Sequence, residues 1–513
     1  MLSTSEASRP WTAAQRWTLV ATVLGSSMAF LDGSVVNVAL NALQRDFRAE
    51  LTSVQWVVNA YTLLLAALIL TGGALGDLYG RKKMFGLGVL VFAAASLACG
   101  LAPNLPLLIA ARSVQGLGGA LLIPGSLALI NTVFPGQSRG RAIGLWSSTT
   151  SLVTIFGPAL GGLLVDAASW RVVFLINLPL AALVLFSLRP VPGDVPGRAH
   201  AGQRPDVLGS ALVVLGLGAL TYGLISGADR GLSGRPLLIA VAGVAVLAAF
   251  VLWEARSQAP MLPLTLFRSA AFSGTNLLTF LLYGALGAAL FFLPLNLIAV
   301  QGYRAALAGA AFLPLSLMLA GLSGFFGALA DRHGPRRLLT AGPALAGLGF
   351  IWLGNLGVGS SFWTAVLPGM LLLGLGMAVT VAPLTSAVMG SVDVAYSGAA
   401  SGVNNAVSRA AGLIALAALT LLMLSHFRGV LEVQLQAAGL PEGARQAMLA
   451  QSSRLAQVPL PSGLGSDQAK LAADAVKSAF AEGFRWVCWV CGALALLSAL
   501  TGGLSLRAGP PQT

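Results

Sequence analysis

Long apolar runs recur along the whole of this 513-residue chain and constrain its fold more than any other feature. Each run is about twenty residues long, which as a helix spans the roughly 30 Å hydrocarbon core of a bilayer. Lipid offers no hydrogen-bond partner to the backbone, so a chain that crosses it repeatedly in this way must do so as helices. With 56% hydrophobic and only 9% charged residues, the composition excludes a soluble protein. We therefore predict an all-α integral membrane protein.

We predict fourteen transmembrane helices, arranged as two six-helix bundles with two helices inserted between them. The predicted spans are residues 17–40, 54–75, 84–101, 105–130, 142–165, 172–188, 207–225, 236–253, 272–298, 306–329, 338–353, 362–388, 397–424 and 484–506. The chain then divides into a cytoplasmic N-terminus (1–16), an N-terminal bundle (17–188), a cytoplasmic linker (189–205), the inserted pair (206–254) and a C-terminal bundle (271–507) that includes a long external loop (425–483).

A short motif occurs twice, each time where a long apolar run ends. The first copy is GALGDLYGRKK at residues 73–83 and the second is GALADRHGPRR at residues 327–337. Each copy places an aspartate, a turn glycine and several cations at one membrane surface. Such a repeat is typical of secondary transporters. We interpret it as a conformational latch; simple anchoring of the topology is the alternative, which explains the cations but not the repeated aspartate and glycine.

The fifth span contains a second candidate for conformational control, GPALGG at residues 157–162. Proline removes an intrahelical hydrogen bond and kinks a helix, while the glycines let a neighbouring helix approach closely. A purely structural kink is as reasonable as a mobile one. The residues assigned to gating are Gly73, Asp77, Gly80, Arg81, Asp331, Gly334 and Arg336 of the repeated motif, with Gly157, Pro158 and Gly161.

Cations concentrate in the loops on one side of the predicted topology, which favours the cytoplasm for that side. We therefore expect a multi-pass protein of a bacterial cytoplasmic (inner) membrane, with both termini in the cytoplasm. The net charge of +13 follows from these helix-end cations, so nucleic acid is not an expected partner. Cys488 and Cys491 form a C-x-x-C inside an apolar run, where they are most simply small apolar residues, and no metal site or cofactor is expected.

Two ionisable residues within the spans are candidates for proton coupling, because charges are costly in lipid and tend to be retained for function. Asp32 of the first span and Arg112 of the fourth lie at similar depths when helix rise is counted at about 1.5 Å per residue. They can pair if the two helices touch. We predict that Asp32, in a partly dry cavity, takes up and releases a proton as its distance to Arg112 changes. A static buried ion pair is the alternative.

Arg409 is a third deep charge, in a run of small and amide residues that is typical of a polar cavity wall. A cation that caps carbonyls of a neighbouring helix is an equally simple explanation. The candidate substrate-cavity residues are Asn37, Gln55, Trp56, Asn59, Tyr61, Gln115, Asn276, Tyr283, Asn404, Asn405 and Arg409. For each residue taken alone, packing in the protein core is the simpler interpretation.

Five stretches together resemble motifs of the major facilitator superfamily, in particular of its fourteen-helix drug:H+ antiporters. They are residues 73–83, RSVQG at 112–116, GPALGG at 157–162, LDGSVVNVAL at 31–40 and WRVVFLINLP at 170–179. The resemblance covers nearly the whole chain. It implies two six-helix bundles that work by alternating access, and export of lipophilic, often cationic compounds driven by a proton gradient and without a cofactor.

The chain departs from the family pattern in two places, and the second departure affects the expected substrate. Leu78 stands where a cation is usual, and the spans of the second half contain no acidic residue in their interior. One negative charge at Asp32 and two positive charges at Arg112 and Arg409 leave the deep interior at about +1. A neutral, zwitterionic or anionic substrate is therefore a competitor to a cationic one.

The sequence thus predicts a proton-coupled secondary transporter that exports lipophilic drugs or toxic compounds, and not an enzyme. The alternative within the same fold is a dedicated exporter of one metabolite or lipid-like, possibly anionic, molecule. A membrane enzyme or a sensor without transport has little support, because no constellation of nucleophile and base lies near one surface. The expected partners are a small molecule, protons and the lipid bilayer; a periplasmic adaptor protein is left open.

Overall fold

The computed structural model describes residues 11–134, 136–193, 205–258, 260–393 and 396–506. Within these ranges all the regular structure is helical. Residues 1–10 of the predicted N-terminus, residues 194–204 of the predicted linker and residue 507 of the predicted C-terminal bundle lie outside the described part of the chain.

Sequence signals start several of the helices. Thr12 and Gln15 form a reciprocal capping box before the first helix, and Asn104 caps the fourth by accepting a hydrogen bond from the Leu107 N–H at 3.0 Å. The first nine helices are α1 (Ala13–Phe47), α2 (Leu51–Tyr79), α3 (Arg81–Gly100), α4 (Leu105–Val133), α5 (Gly136–Ala167), α6 (Trp170–Leu175), α7 (Asn177–Ser187), α8 (Val207–Arg230) and α9 (Gly234–Glu254). The remaining helices in the described residues are α10 (Ala270–Leu295), α11 (Ala305–Ala310), α12 (Leu313–His333), α13 (Arg336–Leu353), α14 (Leu367–Gly390), α15 (Ser397–Ala437), α16 (Glu442–Ala450) and α17 (Ser466–Ser505).

Twelve helical stretches in the described residues are long and apolar enough to cross a membrane. Some combine consecutive elements: α6 and α7 form one stretch, and α11 and α12 form another. Of the fourteen predicted spans, those at α5 and α13 are not among the twelve, although α5 contains a shorter apolar helix at Phe156–Ala167. The all-helical membrane architecture is therefore established, whereas the count of fourteen is not confirmed.

The two halves of the chain share the same internal helix pairings. In the first half α4 packs on α2 and α3, and α1 packs on α5; in the second half α14 packs on α12 and α13, and α10 packs on α15. Each copy of the repeated motif ends a helix at a glycine with left-handed φ, 100° at Gly80 and 80° at Gly334, where a side chain would be strained. We call the end of the molecule with these two turns the motif end, and the opposite end the far end.

Glycines set the close helix contacts inside each half, as the abundance of 62 glycines suggests. A Cβ atom at Gly72 of α2 would lie 2.0 Å from the carbonyl oxygen of Ala120 in α4. A Cβ atom at Gly349 of α13 would lie 2.7 Å from the backbone nitrogen of Leu373 in α14. The paired helices therefore touch backbone to backbone, a packing that is common between helices in membranes.

Helices α8 and α9 pair with each other at the edge of the molecule. Helix α8 also packs on α2 and α15, which belong to different halves. Only 17% of the apolar part of α9 is buried inside the protein, so most of this helix faces lipid. The inserted pair thus lies along the seam between the halves on one side.

The two halves are closed against each other at the far end. A Cβ atom at Gly162 of α5 would lie 2.1 Å from the carbonyl oxygen of Ala305, and one at Gly309 of α11 would lie 2.0 Å from that of Pro158. The Asp166 carboxylate accepts a hydrogen bond from the Ala305 N–H at 3.3 Å. Glycines on both helices thus allow α5 and α11 to close this end.

A segment between α16 and α17 adds a second link between the halves at the far end. Gln457 Nε2 donates a hydrogen bond to Asn41 Oδ1 of α1 at 3.0 Å. Nearby, the buried Leu455 has a left-handed backbone with φ 51°, a conformation that persists in a non-glycine residue only where surrounding contacts enforce it.

The predicted external loop at 425–483 is mostly helical. Helix α15 continues to Ala437 and α17 begins at Ser466, so both extend well beyond the predicted spans at 397–424 and 484–506. The apolar run identifies the part of a helix that crosses lipid, but it does not mark where the helix itself ends.

At the motif end the halves diverge on the side of α5 and α12. Helix α12 buries Leu315, Ser316 and Ala330 out of 21 residues. A Cβ atom at Gly144 of α5 or Gly324 of α12 would meet nothing within 4 Å. On the other side α2 and α15 remain in contact. The described molecule is therefore closed at the far end and open on one side of the motif end.

Candidate functional site

Asp32 lies on α1 inside the first half, and its side chain has no solvent exposure. Its Oδ2 atom pairs with Arg112 Nη1 of α4. Its Oδ1 atom accepts hydrogen bonds from Gln115 Nε2 at 2.8 Å and from Asn177 Nδ2 at 3.2 Å. Burying an ionised carboxylate is costly unless it is both paired and hydrogen-bonded, and here both oxygens have partners. The Asp32 carboxylate is thus enclosed by polar partners from α4 and α7.

Arg112 contacts groups on two other helices, α1 and α2, and on its own helix α4. Its Nε donates to the carbonyl oxygen of Val57 in α2 at 2.8 Å, and its Nη1 donates to Gln115 Oε1 at 2.7 Å. The guanidinium carbon lies 4.3 Å from the centre of the Tyr61 ring, within the range of a cation–π interaction. The similar depth predicted for Asp32 and Arg112 is thus matched by a direct ion pair between α1 and α4.

Two further residues of this cluster were not predicted from the sequence as site residues. Ser96 Oγ of α3 accepts hydrogen bonds from Gln115 Nε2 at 2.8 Å and from Asn177 Nδ2 at 3.2 Å. Asn177 is the first residue of α7, directly after the break between α6 and α7. It is an isolated amide in an otherwise apolar stretch, and that isolation is the signal that could have identified it.

The five polar residues form a closed network, which we call the Asp32 cluster. Its members are Asp32, Ser96, Arg112, Gln115 and Asn177. Each is at most 1% exposed. The prediction of a partly dry cavity around Asp32 is therefore wrong for this state of the molecule, because the packing of α1, α3, α4 and α7 excludes water.

Arg409 differs from Arg112 in having no hydrogen-bond or salt-bridge partner among the described residues. It lies on α15, which packs on α2 and α8. Its Nε atom is buried without a hydrogen-bond partner, while the residue as a whole is half-buried. Among the described residues, none accepts a hydrogen bond from its guanidinium and no carboxylate lies within 4 Å. The contacts therefore give no support to a role in capping carbonyls.

A polar cavity of about 110 Å³ lies in the second half and is lined in part by the turn of α15 that precedes Arg409, although Arg409 itself is not among the lining residues. Three predicted cavity residues line it: Tyr283 of α10, and Asn404 and Asn405 of α15. Asn276 does not line the cavity but supports its wall, because its Oδ1 atom accepts a hydrogen bond from Asn404 Nδ2 at 3.2 Å. The other lining residues are Thr385, Val388, Met389, Ser401 and Ser408. The lining is rich in hydroxyl and amide groups and contains no charged side chain.

Three other predicted cavity residues have buried polar atoms without partners. These are Oδ1 of Asn37, both side-chain polar atoms of Gln55 and both of Asn59. Buried polar groups in native proteins are almost always satisfied. The orphan atoms therefore indicate that α1 and α2 have polar surface that is used by water, by a ligand or in another conformation.

Three of the predicted cavity residues lie elsewhere. The Trp56 ring lies 6.2 Å from the Tyr222 ring of α8, so it faces the inserted helices. Gln115 belongs to the Asp32 cluster and is fully buried. Tyr61 is turned into the first half, where its hydroxyl donates a hydrogen bond to the Ala29 carbonyl oxygen at 3.2 Å. Each residue is polar or aromatic as a cavity wall requires, but its direction around the helix axis differs from the prediction.

The two copies of the repeated motif make different contacts around the same turn. In the first copy Asp77 pairs with Arg81 at 2.9 Å, and Arg81 Nη1 donates to Thr132 Oγ1 of α4 at 2.7 Å. In the second copy Arg336 Nε donates to the Gly503 carbonyl oxygen of α17 at 2.8 Å. These contacts lie within each half, and the latch role remains a prediction.

Two further motif residues make looser contacts. Within the described residues Asp331 has no salt bridge. A Cβ atom at Gly73 would lie 3.7 Å from Pro124 Cβ of α4, which is an ordinary van der Waals distance. The packing at Gly73 therefore does not require a glycine, unlike that at the neighbouring Gly72.

The glycine-rich segment of α5 joins three helices. A Cβ atom at Gly157 would lie 2.1 Å from Ser34 Oγ, and one at Gly161 would lie 2.5 Å from Val35 Cγ1, both on α1. Pro158 lies inside α5 and its carbonyl faces α11. The segment therefore couples the helix that holds Asp32 to the closure at the far end.

The described residues contain no group of three or more metal-ligating side chains. Cys99, Cys488 and Cys491 are free and buried. The features that remain are two pseudo-repeated helical halves, a buried ion pair in one and a polar cavity with an unpaired arginine in the other. Together they define a membrane transport protein built to change its opening between two ends.

The chain belongs to the Major Facilitator Superfamily, whose family model matches residues 22–416. It is 38% identical over 444 residues to the multidrug resistance protein Stp of Mycobacterium tuberculosis (strain CDC 1551 / Oshkosh), covering 85% of this chain and 81% of Stp. It is 32% identical over 516 residues to the tetracenomycin C resistance and export protein of Streptomyces glaucescens, covering 98% and 93%. This protein is therefore a multi-pass secondary transporter and not an enzyme, energised by an ion gradient without a bound cofactor.

Solved structures show the same fold. A bacterial homolog of the human lysosomal transporter Spinster, in an inward-facing and occupied conformation, superposes with a TM-score of 0.64 at 19% identity and covers 97% of both chains. At that identity the likeness establishes the arrangement of helices and nothing about substrate.

Proposed function

We propose that this protein exports small lipophilic compounds across a bacterial cytoplasmic membrane in exchange for protons. In this proposal α5 and α13 bring the twelve apolar stretches to fourteen membrane helices, in two bundles with α8 and α9 inserted. The motif end faces the cytoplasm, because the cations of residues 81–83 and 332–337 lie there. Both termini are then cytoplasmic, and the far end faces outward.

The observation that supports proton exchange is the closed ion pair of Asp32 in a molecule that is open toward the motif end. With the motif end in the cytoplasm, Asp32 is ionised while the transporter faces inward. Protonation must then occur in the other state, when α1 and α4 have moved and the far end is open. A proton enters from outside, crosses with the conformational change and leaves when the pair with Arg112 re-forms.

Exchange follows because the protonation of Asp32 is coupled to the movement that opens and closes the far end. The segment of α5 at residues 157–162 contacts α1 next to Asp32 and also closes the far end against α11. Protonation of Asp32 in the outward-open state keeps it apart from Arg112, and movement of α1 then re-forms the contact between α5 and α11, which returns the transporter to the inward-open state with the proton. Release of the proton inside re-forms the pair with Arg112, and the opposite movement, with Asp32 ionised, carries the compound outward. A ligand-driven shift of this kind needs only different affinities for the two states.

The relatives support the class of cargo. Two of them are named for multidrug resistance and for tetracenomycin C resistance and export. By similarity we assign this chain the export of drug-like compounds, with the 110 Å³ cavity beside Arg409 as part of the binding site. No protein partner is required by this proposal.

The Asp32→Asn variant tests the proposed function. Asparagine preserves the size of the side chain and the hydrogen bonds from Gln115 and Asn177 but cannot ionise. In proteoliposomes with an imposed pH gradient we expect coupled transport to fall by about 100-fold, while substrate binding to the purified protein changes less than about threefold. Asp467→Asn, at the exposed start of α17, is the matched control and should transport normally. Full coupled transport by Asp32→Asn would refute the role.

A further inference from the structure

The charge balance of the membrane interior is unequal between the two halves. In the first half the charges of Asp32 and Arg112 cancel within one ion pair. In the second half Arg409 has no acidic partner among the described residues. An isolated charge in a low-dielectric interior is costly, so an unpaired arginine at this depth calls for a counter-charge from outside the protein.

The N–H groups of Arg409 are also available to donate hydrogen bonds to a ligand. A guanidinium presents five N–H donors in a planar fork and accepts nothing. None of these donors has an acceptor among the described residues, and Nε is buried. Because the side chain is only half-buried, a ligand can reach the planar guanidinium. A buried donor without an acceptor costs free energy that only a ligand or water can recover here.

The neighbouring cavity supplies hydrogen-bonding groups but no charge. Asn405 precedes Arg409 by one helical turn, so the two residues lie on the same face of α15. Asn405 lines the cavity together with Ser401 and Ser408. From this spacing we expect a compound seated among these neutral groups to reach the Arg409 fork with one end, although Arg409 itself does not line the cavity.

We propose that the exported compound has an anionic oxygen, a carboxylate or an ionised phenol, which pairs with Arg409 while the rest of the molecule occupies the cavity. The inference rests on the proposed export function and names its substrate class. Arginine pairs with carboxylates through two parallel hydrogen bonds, which fixes orientation as well as affinity. A lipophilic cation at the same place would meet a like charge, which selects against it.

Three matched probes test the charge preference: 2-naphthoate, 2-naphthamide and 2-naphthylmethylammonium. They share one ring system and differ in the charge of a single substituent. Binding is measured by calorimetry on the full-length protein in lipid nanodiscs. We expect 2-naphthoate to bind at least about tenfold more tightly than the amide, and the ammonium probe to bind most weakly.

Two substitutions assign the preference to Arg409. Arg409→Gln should bring the affinities for 2-naphthoate and 2-naphthamide to within about twofold of each other. Arg409→Lys keeps the charge without the fork and should retain part of the preference, which also guards against a folding defect in the glutamine variant. Asp32→Asn should keep the full preference, because its charge lies in the other half.

The outcomes separate this inference from the proposed function. Equal or tighter binding of the ammonium probe, absence of 2-naphthoate binding, or an unchanged preference in Arg409→Gln would each overturn the anion proposal and leave proton-coupled export standing. A preference for 2-naphthoate that disappears in Arg409→Gln, found in a protein that shows no pH-driven transport, would support the anion site while contradicting the export function.

Discussion

The two deep arginines of this transporter, Arg112 and Arg409, have opposite surroundings. Arg112 is 1% exposed, paired with Asp32, hydrogen-bonded to Val57 and packed under the Tyr61 ring. Arg409 has no such ion pair or hydrogen bond among the described residues, and it lies one helical turn from Asn405, which lines a polar cavity. The first half thus compensates its charge internally, and the second half leaves its charge to be compensated by a ligand.

This difference does not follow from the internal repeat. The pairings place α4 opposite α14 and α5 opposite α15 in the two halves. Helix α14 has no ionisable residue at the position that corresponds to Arg112, since its sequence from Leu367 to Gly390 contains none. The repeat therefore supplies the scaffold and its glycine turns, while the functional charges are distributed asymmetrically on it.

A reversible cross-link at the far end should have the largest effect on transport, because alternating access requires the two halves to move apart at this end. Asn41 and Gln457 are hydrogen-bonded across the closed end. Cysteines at both positions, bridged by a two-carbon bis-methanethiosulfonate, should reduce transport to background, about 5% or less, with recovery after dithiothreitol. The native cysteines are buried, so each single-cysteine variant treated with the reagent serves as the control. Full transport by the bridged protein would show that this end need not open.

Replacing each arginine by methionine should change the free energy of unfolding of the protein by different amounts. Arg112→Met leaves the Asp32 charge buried without its partner, which typically costs about 3–5 kcal/mol. Arg409→Met removes a charge that has no salt-bridge partner among the described residues, so its effect should stay within about 1 kcal/mol or be stabilising. Thermal unfolding in one detergent, followed by intrinsic fluorescence, compares the two variants directly. The double variant Asp32→Asn/Arg112→Met should regain most of the loss; equal destabilisation by both single variants would contradict the comparison.

The sequence predicts well those features that depend on position along a helix. The apolar runs locate the membrane helices, the repeated motif locates two equivalent turns, and counting the helix rise places Asp32 and Arg112 at one depth. These are one-dimensional quantities, fixed by length and hydrophobicity. The contact between α1 and α4 then follows once the bundle is packed.

Direction around the helix axis is much harder to predict, and the misplaced residues show why. A helix inside a bundle has protein on several sides, so polar residues on different faces serve different neighbours. Trp56 thus meets α8 and Gln115 meets Asp32, although both look like cavity residues in sequence. Asn177 joins the Asp32 cluster only because the chain breaks after α6, which no apolar periodicity records.

A carboxylate next to Arg409 should make the second half resemble the first. We expect this change to have the smallest but most specific effect, which is on the affinities for the charged probes. Asn405 lies one turn from Arg409 and lines the cavity, so Asn405→Asp places an acidic group within reach of the guanidinium. The internal pair should then displace the anionic probe, and we expect 2-naphthoate to bind about tenfold more weakly, with 2-naphthylmethylammonium gaining affinity. Asn405→Leu removes the same amide without adding charge and should reduce the affinities for all three probes alike. Undiminished binding of 2-naphthoate by Asn405→Asp would mean that the charge of Arg409 is not what the ligand recognises, and the contrast between the two arginines would then concern packing alone.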